Sequence, residues 1–375
     1  MCGIYIHIPF CIRKCRYCDF VSFSGRDDIK DCYIDNLIKE MAEYSGEKAD
    51  TVFIGGGTPT SLSTSQLERV LSAVERNFEI ADGAEYSIEA NPKTLDEEKL
   101  MLMKEHGVNR ISVGVQSFND AELCKIGRVH NAKEACDTAE LIKKCGFDNF
   151  NLDLMSALPN QTLESFKNTL SKAVSLNPRH ISCYSLIIEE GTLFAEEYKK
   201  GALQLPNEDL ERDMYDFACE YLENNGYKQY EISNFAKKGF ESRHNIKYWH
   251  CDEYIGIGAA AHSYLNGVRF SNTSDINKYL RGEYRSGERE VLSIEDKIEE
   301  FVIMGLRMRR GIDKKEFENR FGYKIEEIYK KELDKFIGYK LLIDSGERIY
   351  LSKEGISLSN SVMCEFAACN LKKHG

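Results

Sequence analysis

The first half of the chain alternates short β-type apolar runs with stretches of helical spacing. Residues 4–8, 51–55, 85–89, 110–114, 149–155 and 180–186 read as strands. Between them, CYIDNLIKEMAEY (residues 32–44) and QLERVLSAVERNF (residues 66–78) repeat apolar positions at helical spacing, so each is expected to be a helix with one buried face. Strand–helix repetition at this spacing predicts parallel strands joined by right-handed crossovers. Six such units predict an α/β fold, a partial (β/α)6 TIM-like barrel rather than a short flat sheet. Pro9, Pro59, Pro92 and Pro159 each follow closely on a predicted strand. Proline cannot continue a central ladder, so it marks the point where strand becomes loop. In β/α barrels the loops after the strands form the active face, and the unusual residues of this sequence fall there.

From about residue 291 the pattern changes. IEDKIEEFVIMGLRM (residues 294–308) has helical periodicity, two shorter helices follow, and LLIDSGERIYLS (residues 341–352) reads as strand, Ser-Gly turn and strand. Helices followed by a hairpin predict a winged-helix-like α+β extension. The expected organisation is a barrel domain over 1–235, a connecting segment over 236–290 and the extension over 291–375.

Composition narrows the class. A hydrophobic fraction of 42% supports a sizeable core, and no apolar run approaches the length of about 20 residues that spans a bilayer. The start MCGIYIHIPFCIRKC lacks the leading basic residues and unbroken apolar run of a secretory leader, so a cytoplasmic location is expected. A net charge of −11 argues against broad nucleic-acid binding, which needs Lys and Arg in excess. The one basic run, Arg307-Met308-Arg309-Arg310, reads as a solvated helix face. Most of the 13 cysteines are scattered singly, which suits small buried residues in a reducing compartment rather than a disulfide framework.

Three cysteines are not scattered. Cys11, Cys15 and Cys18 follow the first predicted strand in CIRKCRYCDF, with Phe20 where a fourth thiol would complete the set. C-x3-C-x2-C on one loop can give three ligands to a cubane cluster and leave its fourth iron open. A four-thiolate electron-transfer cluster needs one more cysteine, and a structural zinc would draw on Asp19 or His7. The second predicted strand ends in GGGTPT (residues 55–60), a glycine run that lets backbone approach a ligand and that lacks the Lys-Ser/Thr ending of a P-loop.

Together these motifs resemble the radical S-adenosylmethionine (SAM) superfamily. More narrowly, YIHIPFCIRKCRYCDF, IEANP, SVGVQSF, IGRVH and YEISNFA resemble the oxygen-independent coproporphyrinogen III oxidase family, in family order along nearly the whole chain. One departure is LDLMSALPNQT, where Ser156-Ala157 stands in place of an aromatic-glycine pair. The resemblance implies a 4Fe-4S cluster on Cys11, Cys15 and Cys18, whose open iron chelates SAM and donates the electron that cleaves it. It implies that Gly56, Gly57 and Thr58 hold the methionine end of SAM, and that Arg128 meets its carboxylate. Tyr17 would lie against the adenine, Tyr5 near the sulfonium, and Glu89, Gln116 and Asp153 on the ribose and other polar parts. A structural ion-pair network of Glu89, Asp153 and Arg128 is the plain alternative.

Phe20 in the fourth place and the short N-terminus resemble the heme-chaperone, HemW-type branch rather than the oxidase itself. So does His244-Asn245-Ile246-Lys247-Tyr248-Trp249, the H-N-x-x-Y-W pattern of that branch. The resemblance implies His244 as heme ligand, with His250 and Cys251 as competitors. The plain alternative is a capped loop with a buried aromatic anchor and a hydrogen-bonded histidine. The implied partners are heme or porphyrin, heme-acceptor proteins, an electron donor such as flavodoxin or ferredoxin, and a second copy in a homodimer. Decarboxylation of coproporphyrinogen III, and a cluster or zinc module without SAM chemistry, stay open as other readings.

Overall fold

A computed structural model describes residues 1–285 and 287–367; Ser286 of the connecting segment and residues 368–375 of the expected extension lie outside it. All six predicted strands form. β1 (Cys2–Ile8), β2 (Lys48–Gly56), β3 (Glu79–Ala90), β4 (Arg110–Gln116), β5 (Phe150–Ser156) and β6 (His180–Ser185) lie side by side and parallel. Beyond β6 the sheet continues antiparallel through β8 (Asn234–Ala236) and β7 (Lys228–Glu231). The other edge departs from the sequence reading. β9 (Tyr254–Ile257) joins parallel to β1, and β10 (His262–Leu265), β11 (Val268–Ser271) and β12 (Arg289–Val291) extend it antiparallel. Strands from within residues 236–290, expected as a connector, therefore join the sheet.

Register decides which side chains share a face, because successive strand residues point to opposite sides. Gly3, Tyr5 and His7 stand opposite Thr51, Phe53 and Gly55, and Thr51 and Phe53 opposite Glu85 and Ser87. Ser87 and Glu89 face Arg110 and Ser112. Ser112 and Gly114 face Asn151 and Asp153, which face His180 and Ser182. One face is thus polar across six strands. The opposite face carries Ile4, Ile6, Val52, Ile54, Ile88, Ile111, Val113, Leu152 and Ile181, all fully buried in the main core. Each such side chain contributes roughly 1.5–3 kcal/mol on leaving water. The helices cover that apolar face. Lys30–Ala42 buries Tyr33, Ile34, Leu37 and Met41, and Thr64–Asn77 buries Leu67, Val70, Leu71 and Val74 behind a Ser63–Gln66 capping box.

Small residues fill the end of β9 and the turn after it, Gly256-Ile257-Gly258-Ala259-Ala260-Ala261, and they pack closely. A Cβ on Gly258 would lie 2.6 Å from the His7 carbonyl and 2.7 Å from the Tyr33 hydroxyl, and its φ is +106°. The buried Glu40 carboxylate fastens this segment to the first helix, accepting from Gly258 N (2.9 Å), Asn272 Nδ2 (2.6 Å) and the Tyr279 hydroxyl (2.6 Å).

The C-terminal part has its own core, built on Phe301, Leu306, Phe317, Ile328, Leu333 and Ile349. Its helices are Ile294–Arg307, Lys314–Phe321 and Ile325–Gly338, with a three-stranded antiparallel sheet of Ile312–Asp313, Leu342–Asp344 and Arg348–Leu351. The helix and the hairpin read from the sequence both form there. Among the described residues no helix is long and apolar enough to cross a membrane.

The departure at Ser156-Ala157 has a backbone consequence. Buried Ala157 takes φ +56°, in the left-handed region that glycine occupies without strain. Ala157→Gly is expected to raise stability by about 1 kcal/mol in urea unfolding, because relief of the strain exceeds the added unfolded-state entropy.

Candidate functional site

Pro9 ends the β1 ladder, and the chain then leaves the barrel rim as a loop. Phe10 and Cys11 pair with Phe23 and Ser24, which closes the loop at its base. Further bonds fix its height. Thr58 N donates to the Phe10 carbonyl (2.8 Å), and His7 Nε2 bonds the Val21 carbonyl (2.8 Å). On the outer side Arg16 N donates to Ile126 O (3.1 Å), Arg16 O accepts from Phe194 N (3.0 Å), and the Arg16 guanidinium pairs with Glu197.

Held this way, the free thiols of Cys11, Cys15 and Cys18 line one cavity with Tyr17, Gly56, Gly57, Thr58, Glu89, Gln116, Arg128 and Asp153. Burial raises the Cys11 and Cys18 thiols above their ordinary range. Among the described residues no three His, Cys, Asp or Glu converge closely enough to hold a single metal ion. Thiols spread around a cavity suit a cluster instead, where each sulfur binds a different iron. The donor set fits a three-thiolate cubane.

The polar residues beneath the thiols are oriented individually. Gly56 N donates to Glu89 Oε2 (3.0 Å). Burial, reinforced by neighbouring Asp153, pushes the Glu89 carboxyl up to about 7. Asp153 accepts from Asn151 Nδ2 (2.6 Å) and Ser112 Oγ (3.2 Å). Gln116 accepts from the Tyr184 hydroxyl (3.0 Å). Arg128 donates to Cys15 Sγ (3.4 Å) and to the Gly114 carbonyl, and its buried Nε has no partner. Burial opposes its charge, yet Tyr17 and Cys15 hold its pKa above the usual value. Among the described residues no ion pair joins Arg128 to Glu89 or Asp153, so the network alternative is not what forms. The glycine run has protein neighbours of its own. A Cβ on Gly57 would lie 2.8 Å from Phe10 N, one on Gly55 2.9 Å from the Glu89 carboxylate, and one on Gly56 inside the His7 ring. Tyr5 is not in the cavity wall; it lies below, its hydroxyl 3.0 Å from His7 Nδ1. Ser112 and Tyr184 escaped sequence reasoning, and His7 was read only as a substitute zinc ligand, although each sits on the polar face at every second strand position.

Comparison with known proteins agrees with this geometry. The radical SAM superfamily profile matches residues 5–173, and that of the HemN C-terminal domain matches residues 292–358. The heme chaperone HemW of Lactococcus lactis is 43% identical over 96% of both chains. That of Bacillus subtilis is 40% identical, over 98% of this chain and 99% of its own. The chain belongs to the HemW family. The solved structure of coproporphyrinogen III oxidase (HemN) from Escherichia coli, described as a radical SAM enzyme, aligns with a TM-score of 0.86 at 25% identity. The alignment covers 98% of this chain and 90% of that one.

Two features of this HemW-family chain separate in space. Phe20 stands exposed on the cysteine loop. The H-N-x-x-Y-W segment forms the helix Arg243–Trp249 away from the cysteine loop, against Thr51 of β2 and Glu85 of β3. His244 is 1% exposed, and both ring nitrogens are engaged: Nδ1 with Thr51 Oγ1 (2.9 Å) and Nε2 with the Tyr248 hydroxyl (2.8 Å). Heme ligation by His244, expected from the resemblance, would require one of these two hydrogen bonds to break and the buried ring to be uncovered. Lys247 pairs with Asp50 (2.8 Å), and Trp249 lies under the Arg307 guanidinium at 4.4 Å. The capped, hydrogen-bonded alternative is the one that forms. Of the two competitors, Cys251 is pushed up to about 12 by burial, and His250 is lowered by it.

Burial lowers His244 to about 3 and His130 to about 4, while an unfolded chain protonates its histidines near 6.5. The unfolded state therefore binds more protons below pH 6.5, and stability falls on acidification. Urea unfolding between pH 6.5 and 5 is expected to show a loss of about 1.4 kcal/mol per pH unit for each such histidine, with a shallower slope in His244→Gln.

Proposed function

We propose that this chain is a heme chaperone that carries a 4Fe-4S cluster and SAM and passes heme to acceptor proteins. The observation that carries the reading is the set of three thiols, with no fourth among the described residues lining the cavity, opening over a polar barrel mouth. Cys11, Cys15 and Cys18 hold the cluster. When bound, cluster and SAM supply one-electron chemistry. The chain's own residues bind and orient. Gly56, Gly57 and Thr58 present backbone and hydroxyl to the methionine end of SAM, and Arg128 offers its unpartnered Nε side to a carboxylate. Glu89, Asp153 and Gln116 accept or donate to hydroxyls, Tyr17 packs on a flat base, and Tyr5 supports His7 from below.

The mouth also has the character of a heme surface. Ile12 and Phe20 on the cysteine loop are 56% and 61% exposed, and Ile187 and Leu193 on the facing segment after β6 are 67% and 54% exposed. That segment packs against the loop through Phe194 and Arg16. Exposed Arg13 and Lys14 lie between the apolar residues. An apolar rim with two cations matches a flat macrocycle bearing two propionates. Reduced thiols suit a cytoplasmic setting. A flavodoxin- or ferredoxin-like donor and a homodimer complete the reading.

Anaerobic, cluster-loaded protein is expected to bind hemin stoichiometrically and to leave coproporphyrinogen III unchanged. His244→Ala should keep the hemin Soret band, and Phe20→Asp should weaken hemin binding at least tenfold. Turnover of coproporphyrinogen to protoporphyrinogen would favour the decarboxylase instead.

A further inference from the structure

A continuous stack of rings runs through the polar interior, from the barrel floor to the cysteine loop. At the floor Tyr248 stands edge-on to Tyr254 (4.6 Å between centroids) and to His244 (5.1 Å). His244 stacks on Phe53 (5.3 Å, 26°), and Phe53 on Tyr5 (6.2 Å, 26°). Tyr5 hydrogen-bonds His7 (3.0 Å), and His7 bonds the returning leg of the loop at Val21 (2.8 Å). Gly56 leaves space for the His7 ring and none for a side chain of its own. The stack therefore has little slack: neighbouring ring centroids lie 4.6 to 6.2 Å apart, and its polar ends are hydrogen-bonded.

The lower end is gripped from outside. Trp249, one residue after Tyr248, lies under Arg307 of the helix Ile294–Arg307 (4.4 Å), and Arg307 bonds buried Glu231 (3.4 Å). Arg320 donates to the His250 carbonyl (2.8 Å) and to Asp252 (3.1 Å). The C-terminal unit thus holds the end of the helix whose first turn carries His244.

We propose that the H-N-x-x-Y-W helix is a positioning element: through His244, Phe53, Tyr5 and His7 it sets the height of the cysteine loop, and it couples that loop to the C-terminal unit. The inference rests on the reading of Cys11, Cys15 and Cys18 as cluster ligands. His244 and Phe53 do not line the thiol cavity and act through His7. A partner that shifts the C-terminal unit would shift the thiols.

The test uses the full chain and two variants, Phe53→Leu, which breaks the stack in its middle, and Arg307→Gln, which loosens the outside grip. Backbone hydrogen exchange of residues 11–22 in the cluster-free protein is the first readout, and iron release to a chelator from the loaded protein is the second. Both variants are expected to speed loop exchange and iron release at least fivefold, with exchange of β4 and β5 unchanged. Loop exchange equal to wild type in a folded variant, even one that melts earlier, would overturn the proposal. Partly surface-exposed Arg307→Gln keeps the test available if Phe53→Leu fails to fold. Wild-type protein that takes up no cluster would sink the cofactor reading alone, because the exchange readout on cluster-free protein still decides the coupling.

Discussion

The parallel sheet turns a polar face inward, and the rest of the architecture answers to that constraint. A buried polar group without a partner costs on the order of 1–3 kcal/mol. The interior holds Glu85, Arg110, Asn151, His180 and His244, all buried. Most are satisfied within the barrel. Glu85 accepts from the backbone of Arg243 and His244, and Asn151 bonds His180, Ser112 and Asp153. Arg110 Nε and Ser87 Oγ stay unpartnered deeper in, and toward the rim capacity gathers in one cavity: two neighbouring carboxylates, an Arg128 nitrogen without a partner, and three thiols. A site is found where the interior has not completed its own hydrogen bonds.

The six central strands were legible because each is a short β-type run, most of them followed closely by proline or glycine, and buried parallel strands carry that pattern strongly. β9 was not. Its four residues, Tyr254–Ile257, contain a glycine, and their place beside β1 depends on contacts some 250 residues away in the chain. The inner face was also written in the sequence and went unread. Tyr5 and His7, Ser87 and Glu89, Asn151 and Asp153, and Ser182 and Tyr184 alternate with aliphatic residues at period two. Reading those strands as apolar runs hid Ser112 and Tyr184 and left the place of His7 on the inner face unread.

The cysteine loop was legible residue by residue, since C-x3-C-x2-C needs no tertiary context to imply shared ligation. His244 shows the limit of that approach. Its motif gives a histidine beside a tyrosine and a tryptophan, which suits heme chemically. Register then brings Thr51 to one nitrogen and the helical i+4 spacing brings Tyr248 to the other. The pattern gave the residue type, and the fold determined its partners. Exposed Phe20, read first as a missing cysteine, is better described as part of an apolar rim around the thiols.

The central claim is a three-thiolate cluster with one iron open to SAM. The most direct measurement is electron paramagnetic resonance of the anaerobically reconstituted, reduced protein with and without SAM. The account predicts a 4Fe-4S signal whose g-values shift on SAM addition, at an iron-to-sulfide ratio near one. A signal indifferent to saturating SAM, or a preparation without inorganic sulfide, would contradict it.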